Sequence, residues 1–375
     1  MKKIGQYIQV CVLTIARTWP HPFYTYGARW FLAAAITLWI GCLDEIDLKN
    51  QQFDAKAIIL QGKLIMGNPS SVEVSLQRIG DFTGNENATS IFGAKITLHQ
   101  TSGALLALNE NITKSIYTAT IDINHPTFKV LAGQSYYIQA ILPDGRQYRS
   151  DPETILSVPK MEKIGFNPEV LSLPDRKGFI QTDTFLQIWT NTKLSTNNDL
   201  RKIKWEVSCV YKFTDDAQRV CYAPEPVRPE KTYLYDSPLY LSQRLDSFII
   251  TDTRIDHRFA EGLYLTVLQE TLTDKAFTYW NQIKVLAERN GNMFEAPAAT
   301  ISSNIKNPAD STERVFGFFY ATQQDTQRLY ITPPMVFFPG KYCPIPPTPR
   351  IGPTICDACL LITGSSNTKP SYWKE

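Results

Sequence analysis

Apolar and polar residues alternate along much of the chain between residues 50 and 158. Residues 72–77 read Val-Glu-Val-Ser-Leu-Gln, and residues 96–99 read Ile-Thr-Leu-His. A period of two is typical of a β-strand with one face in the core and the other in water. Turn residues separate these segments, most clearly at Pro143-Asp144-Gly145. Short strands joined by turns, with no helical period, predict a β-sandwich of the immunoglobulin or fibronectin type over residues 50–158.

The remaining residues, 159–375, predict a second β-rich domain with one amphipathic helix. Strand patterns recur at residues 185–189, 204–213 and 263–268. Residues 274–289 follow a helical period instead, and one face of that helix carries Ala276, Trp280, Ile283 and Ala287. Gly291 follows as the expected C-cap. We expect the apolar face to cover a sheet, and the alternative is that it lines a ligand pocket.

The most hydrophobic segment of the chain lies near its beginning. Residues 30–41 contain no charge, follow Arg29 and end at Gly41, directly before Cys42. Twelve residues are too few to span a bilayer, which takes about 20. A basic residue, a short apolar run and a small residue are typical of an export signal, and the cysteine predicts a bacterial lipoprotein. We therefore expect residues 1–41 to be removed, Cys42 to be acylated, and residues 42–49 to form a linker; a signal cleaved elsewhere, or a short buried segment, is the alternative.

Two acids follow the proposed lipidation site. Asp44 and Glu45 resemble the surface-export signal of lipoproteins from the Bacteroidetes phylum. This resemblance predicts a lipid-anchored protein on the outer face of the outer membrane. A solvated linker, which carries charges in any case, is the alternative interpretation.

Charge argues against a nucleic-acid partner. The formal net charge is +2, but residues 1–41 hold four basic residues and no acid, so their removal leaves −2. A near-neutral chain has no basic stripe to bind phosphates.

Five cysteines remain once the leader and Cys42 are set aside. They are Cys209, Cys221, Cys343, Cys356 and Cys359. Cys209 and Cys221 are symmetric about residue 215, inside an Asp-Asp-Ala-Gln turn, so a bridge across a hairpin is one possibility. For the single C-x-x-C motif at residues 356–359, we favour disulfide bonding in an oxidising compartment. A structural zinc site requires four ligands, and a thioredoxin-like redox pair requires a βαβ unit. Because the number of cysteines is odd, one of them must stay unpaired or be joined to another molecule. We expect the protein to bind no metal and no cofactor.

No constellation of residues predicts catalysis. The histidines His99, His125 and His257 form no metal-binding pair, and the nucleophile-elbow and phosphate-loop motifs are absent. Paired carboxylates occur in an evident turn, at Asp215-Asp216. We expect a protein that is not an enzyme and has no catalytic residue, although glycoside hydrolysis needs only two carboxylates brought together in space.

Residues in the C-terminal part resemble a known family. The segments that carry the resemblance lie at 290–298, 303–305, 315–319, 356–359 and 369–373, and the expected mature chain would start with Cys-Leu-Asp-Glu. Together with Gly93-Ala94 and Trp205-Glu206 they are similar to the Bacteroidetes lipoprotein family DUF 4249 over residues 42–373. The long N-terminal extension and bulky Trp39, where a lipoprotein signal usually has leucine, depart from the pattern.

The resemblance implies an outer-membrane lipoprotein that accompanies a TonB-dependent transporter. It implies no catalytic residue, and only Cys42 maps onto a functional position. We expect a non-enzymatic surface lipoprotein that binds substrate for the transporter or caps it. The alternatives are a freestanding adhesin that binds carbohydrate or protein and, less favoured, a surface hydrolase.

Overall fold

The computed structural model describes residues 57–79, 88–174, 178–288, 301–337 and 356–374. The protein is mainly β, as the alternating pattern predicts. Ten strands occupy the first part of the described chain: β1 (Ile58–Met66), β2 (Ser70–Arg78), β3 (Thr89–Ser90), β4 (Lys95–Gln100), β5 (Leu105–Ala107), β6 (Asn109–Asn111), β7 (Ile116–Ile121), β8 (Ser135–Ile141), β9 (Gln147–Ser150) and β10 (Glu153–Thr154).

These strands form two layers around one core. β1, β2, β7 and β6 lie side by side in one sheet, and β9, β8, β4 and β5 form the other. Leu60 and Val72 from the first layer and Ile138 from the second are fully buried in the same cluster. The predicted turn at Pro143-Asp144-Gly145 joins β8 to β9, and Gly145 has a φ of +88°, which glycine adopts without strain.

The second part of the described chain contains eleven further strands and two α-helices. They are β11 (Met161–Pro174), β12 (Ile180–Lys193), β13 (Ser195–Thr196), β14 (Asp199–Leu200), β15 (Lys202–Thr214), β16 (Val220–Pro226), β17 (Tyr233–Asp236), α1 (Ser237–Tyr240), β18 (Arg244–Arg254), β19 (Leu263–Leu272), α2 (Asp274–Ala287), β20 (Ile305–Lys306) and β21 (Phe319–Ile331). Short 3₁₀ helices lie at His257–Phe259, Pro333–Val336 and Cys359–Leu361. The three strands predicted from the sequence fall within β12, β15 and β19. Of the proline-rich stretch from 333 to 353, residues 338–353 lie outside the described residues.

One large sheet joins the two parts. Its strand order is β16-β15-β19-β21-β1-β2-β7-β6, with β21 antiparallel to β19 and parallel to β1. β20 also reaches back and pairs with β9. The boundary predicted at residues 158 and 159 therefore does not divide this sheet, because a strand from near the C-terminus completes it. The chain from Asp54 to Glu375 forms one compact unit.

Both cores lie on the same face of the large sheet. On β21, Phe319 and Ala321 belong to the first core, while Ile331 belongs to the second, which β11, β12 and β18 cover. Residues of the other parity, such as Tyr320 and Tyr330, point to the opposite face. We call this opposite side the outer face.

Helix α2 covers the middle of the outer face. Thr273 caps its N-terminus, where its hydroxyl accepts a hydrogen bond from the Ala276 amide at 3.2 Å. Ala276, Trp280 and Ile283 pack towards Phe318 and Tyr320, which confirms that the predicted face covers a sheet. Ala287 is exposed at the last turn, and residues 289 and 291 lie outside the described residues. No helix in the described ranges is long and apolar enough to cross a membrane.

The disulfides differ from the symmetric hairpin pairing considered above. Cys221 is bonded to Cys359, 138 residues further along the chain, and Cys209 is a buried free thiol. The hairpin between β15 and β16 pairs Phe213 with Cys221 and Cys209 with Glu225, so its centre is residue 217 and not 215. The prediction of a bridge between Cys209 and Cys221 is therefore wrong, because the two cysteines lie four residues out of register.

The C-x-x-C motif is disulfide-bonded, but not within itself. Cys356 is also disulfide-bonded, while Cys359 pairs with Cys221. The free thiol of Cys209 accounts for the unpaired cysteine that the odd number predicts. Cys343 lies outside the described residues.

Candidate functional site

A cleft runs along the outer face on both sides of the Trp280 side chain. It consists of two adjoining cavities, of about 320 Å³ and about 260 Å³, whose walls share Glu206 and Trp280. The larger cavity lies over β15 and β17, and the smaller lies over β1, β2 and β21. We refer to the two together as the Trp280 cleft.

The floor of the cleft is a closed ring of alternating charges. The ammonium of Lys63 pairs with Glu270 and lies 3.4 Å from Oε1 of Glu206. The ammonium of Lys204 pairs with Glu206 and lies 3.4 Å from Oε2 of Glu270. Each cation therefore bridges both anions, and the ring carries no net charge.

Strand alternation places this ring on the outer face. Along β15, Ile203, Trp205 and Val207 enter the second core, so Lys204 and Glu206 point the other way. Glu270 lies on β19 and Lys63 on β1, with β21 between them. The ring thus spans four neighbouring strands and ties the first part of the chain to the second.

The ring is buried at one end and open at the other. The side chain of Glu270 is 0% exposed, whereas that of Glu206 is 43% exposed. Tyr320 donates a hydrogen bond to Glu270 at 3.4 Å, and the Gln324 amide donates another. A buried carboxylate is stable only when its oxygens are satisfied in this way.

The ion pairs of the ring keep Lys63 and Glu206 charged. Burial lowers the pKa of Lys63, but Glu270 and Glu206 outweigh burial and raise that pKa above 10.5. Partial burial would raise the pKa of Glu206, but Lys204 and Lys63 bring it below 4.5. Burial, with Glu270 beside it, raises the pKa of Tyr320 well above 10. At neutral pH Lys63 is therefore an ammonium, Glu206 a carboxylate and Tyr320 a neutral phenol.

Trp280 is held in place by the same groups. The ammonium of Lys204 lies 4.5 Å from the centroid of the indole ring, as a cation–π contact. Tyr279 and Tyr320 meet the indole edge to face, at 5.5 and 5.9 Å between ring centroids. These contacts fix the orientation of the ring that both cavities share.

The cleft also contains polar groups with no partner in the described part of the chain. They are the side chains of Gln61, Glu73, Ser75, Ser208 and Thr232. Gln61 and Ser75 lie directly opposite each other on β1 and β2. These side chains are free to bond a ligand.

A second groove, of about 470 Å³, lies between β12, β18 and the end of β16. Three arginines line it, and each is paired with a carboxylate. Arg228 lies 3.3 Å from Asp252, Arg254 lies 2.8 Å from Asp183, and Arg258 lies 2.8 Å from Asp256. This groove is larger than either half of the Trp280 cleft, but its arginines are already paired with carboxylates of the protein.

Trp280, from the helix face that the sequence offered as an alternative pocket lining, borders the cleft, but the candidate site residues taken from the sequence do not converge on either site. Cys42, Asp44 and Glu45 lie outside the described residues. His99 stacks on Tyr137, and His125 accepts a hydrogen bond from the Phe128 amide at 3.0 Å. Within the described residues, no three His, Cys, Asp or Glu side chains are grouped as metal ligands.

The members of the charged ring are not among the candidate residues predicted from the sequence. The signal for them is present in β15, where Lys204 and Glu206 occupy alternate positions of a strand whose other positions are apolar. In a central strand with both faces covered, such charges must find partners. The strand order that supplies the partners is not visible in the sequence.

The fold and cleft define a class: a mainly β protein in which two sandwich cores share one face of a continuous sheet, with a mixed-charge cleft on the other face. The chain belongs to the family described as "Domain of unknown function (DUF4249)", which it matches over residues 44–328. The resemblance drawn from the sequence is thereby confirmed. A comparison with curated proteins found no match.

Proposed function

We propose that this protein is a non-enzymatic lipoprotein, anchored to the outer membrane through acylated Cys42 and exposed at the cell surface. In this proposal the protein is the partner of a TonB-dependent transporter. It either binds substrate for the transporter or caps it. The transporter partner comes from the family resemblance. The anchor comes from the sequence.

One observation carries the proposal more than the others. The family match begins at Asp44, two residues after the cysteine that ends the apolar run. This position agrees with a leader that ends at Gly41 and with a mature protein that begins at Cys42. A single acyl chain gives only marginal membrane binding, so stable anchoring takes the several chains of a mature lipoprotein.

The Trp280 cleft supports a binding role over a catalytic one. The ion pairs of the floor keep Glu206 ionised, so this carboxylate is not poised as a general acid. Its unpartnered hydroxyl, amide and carboxylate groups suit recognition of a ligand. An open cleft beside a fixed aromatic ring is a common form of ligand site.

Co-purification tests the transporter partnership. Tagged wild-type protein is isolated from gently solubilised outer membranes, and the proteins that accompany it are identified by mass spectrometry. We expect a TonB-dependent transporter in an amount comparable to the bait, and its loss in the C42S variant. Anchored wild-type protein that brings down no transporter would contradict the partnership and favour the freestanding adhesin.

The surface position has its own test. In the D44N/E45Q variant, which retains Cys42, we expect the protein to stay membrane-bound but to become resistant to trypsin added to intact cells. Wild-type protein should be digested under the same conditions. Equal digestion of both proteins would show that Asp44 and Glu45 are not a surface-export signal.

A further inference from the structure

We infer that the Trp280 cleft binds a neutral oligosaccharide that crosses the Trp280 side chain. This inference goes beyond the proposed function, because the binding step requires neither the anchor at Cys42 nor the transporter. It depends on three properties of the cleft: its charge, its free polar groups and its aromatic wall.

The paired charges of the cleft disfavour an anionic ligand. The two ammonium groups and two carboxylates of the floor neutralise one another within the ring. At the rim, Arg228 and Lys231 lie within 4.0 Å of Asp252, so those cations are also paired. An anionic ligand would have to break an existing ion pair, which a neutral ligand avoids.

The free groups of the cleft match a ligand rich in hydroxyls. Gln61 offers an amide, Ser75 and Ser208 offer hydroxyls, and Glu73 offers a carboxylate. A sugar hydroxyl both donates and accepts, so it pairs with all of these groups. Ser75 lies on the β1–β2 side of Trp280 and Ser208 on the β15 side. Bonds to both would therefore place one ligand on either side of the indole.

Trp280 supplies the apolar contact. A pyranose ring has an apolar C–H face, which packs on an aromatic ring while its hydroxyls point outward to hydrogen-bond partners. Lys204, Tyr279 and Tyr320 already hold the indole in one orientation. Because the ring is ordered before binding, little conformational entropy is lost when a sugar stacks on it.

The dimensions favour an oligosaccharide over a single sugar. The cleft has two cavities, of about 320 Å³ and about 260 Å³, and both are open to solvent. A ligand that fills both must be extended and must pass Trp280. Neighbouring sugar units of one chain meet this requirement.

Calorimetric titration of the full-length mature protein in detergent tests the inference. The probes are maltohexaose, cellohexaose, laminarihexaose and mannohexaose, with hexaglycine and oligogalacturonate as peptide and acidic controls. We expect saturable binding of at least one neutral hexaose and of neither control. The W280A variant should weaken that binding about tenfold or more, as loss of a central aromatic anchor does.

Two further variants test the roles of the hydroxyls and of Trp280 separately from effects on folding. S75A/S208A removes two half-buried hydroxyls that have no partner in the described part of the chain, and it should weaken binding several-fold while the unfolding midpoint stays unchanged. W189A removes a partly exposed tryptophan from the three-stranded sheet and should leave sugar binding unchanged. The inference is overturned if no neutral hexaose binds, if a control probe binds more tightly, or if W280A binds as well as W189A.

Discussion

The main chains of Gly317 and Leu60 approach so closely that a β-carbon on Gly317 would lie 2.2 Å from the Leu60 carbonyl oxygen. Gly317 also has a φ of +97°, in the region that favours glycine. On either side of this contact, the Leu60 amide donates to the Phe316 oxygen at 2.9 Å and the Gly62 amide to the Phe318 oxygen at 3.0 Å. This is where the chain enters β21 beside β1, so the joint between the two parts of the large sheet depends on a residue without a side chain.

A G317A substitution separates this close contact from ordinary backbone strain. We expect G317A to lower the free energy of unfolding by about 3–5 kcal/mol, the range of the most damaging single substitutions. The matched control is G103A, which also has a positive φ, of +107°, but nothing within 4 Å of the added atom. G103A should lose only about 1–2 kcal/mol. Urea unfolding of both variants gives the comparison, and equal losses would refute the role of the contact.

The charged ring makes a second prediction. E270Q leaves the ammonium groups of Lys63 and Lys204 with one carboxylate between them, and burial prevents water from replacing the lost charge. We expect a loss of about 3–5 kcal/mol, typical of removing one partner from a buried ion pair. E73Q, at an exposed position of the same face, should change stability by less than about 0.5 kcal/mol. A loss below about 1 kcal/mol for E270Q would mean that the ring does not hold the sheet together.

Glu153 makes stability depend on pH. Burial raises the pKa of this carboxyl from 4.5 to about 7. The hydrogen bond from Thr273 and the nearby charge of Lys275 lower the pKa, whereas the charge of Asp151 raises it. Because the folded protein holds this proton more tightly than the unfolded chain, the stabilisation is complete below about pH 4.5 and is lost as the pH rises to about 7.

The E153Q variant tests this dependence. Its amide oxygen can still accept the Thr273 hydrogen bond, but it has no proton to lose. Above pH 7 we expect E153Q to be more stable than the wild type by up to about 3 kcal/mol, and the difference to shrink as the pH falls towards 5. Thermal unfolding from pH 5 to 8 measures it, with E73Q as the control. A constant difference across this range would rule out titration of Glu153.

The disulfide between Cys221 and Cys359 ties the C-terminal segment to β16, and both cysteines belong to the second core. On the outer face, Trp373 of the same segment packs against Tyr222 and Tyr264, at 4.9 and 5.0 Å between ring centroids. We expect C359S to lower the free energy of unfolding by about 2–5 kcal/mol. C209A, which removes a thiol that forms no cross-link, should lose about 1 kcal/mol. If the two variants were equally stable in urea, the cross-link would contribute nothing beyond the packing of its sulfurs.

Local features of this fold could be predicted because they depend on neighbours in sequence. The alternation at residues 72–77 gives β2, the turn at Pro143-Asp144-Gly145 follows from its residue types, and one face of α2 follows from its period. Each depends on a few adjacent residues and their preferred backbone angles. The mainly β class follows from the sum of such features.

The arrangement of the strands could not be predicted in the same way. Nothing in residues 319–331 indicates that β21 inserts between β1 and β19, because alternation reveals a strand but not its partner. The charged ring depends on that order, and so does the Trp280 cleft above it. The cysteine pairing was missed for a related reason, since a shift of two residues in the turn centre separates Cys209 from Cys221.

The central claim is that fatty chains on Cys42 fix this protein in the outer membrane. The most direct measurement compares wild type and C42S by membrane fractionation, with mass spectrometry of the N-terminal peptide. The account predicts that the wild-type peptide begins at an acylated Cys42 and sediments with outer membranes, whereas C42S is found in the soluble fraction. A wild-type peptide without acyl chains, or a C42S protein that still sediments with the outer membrane, would contradict it.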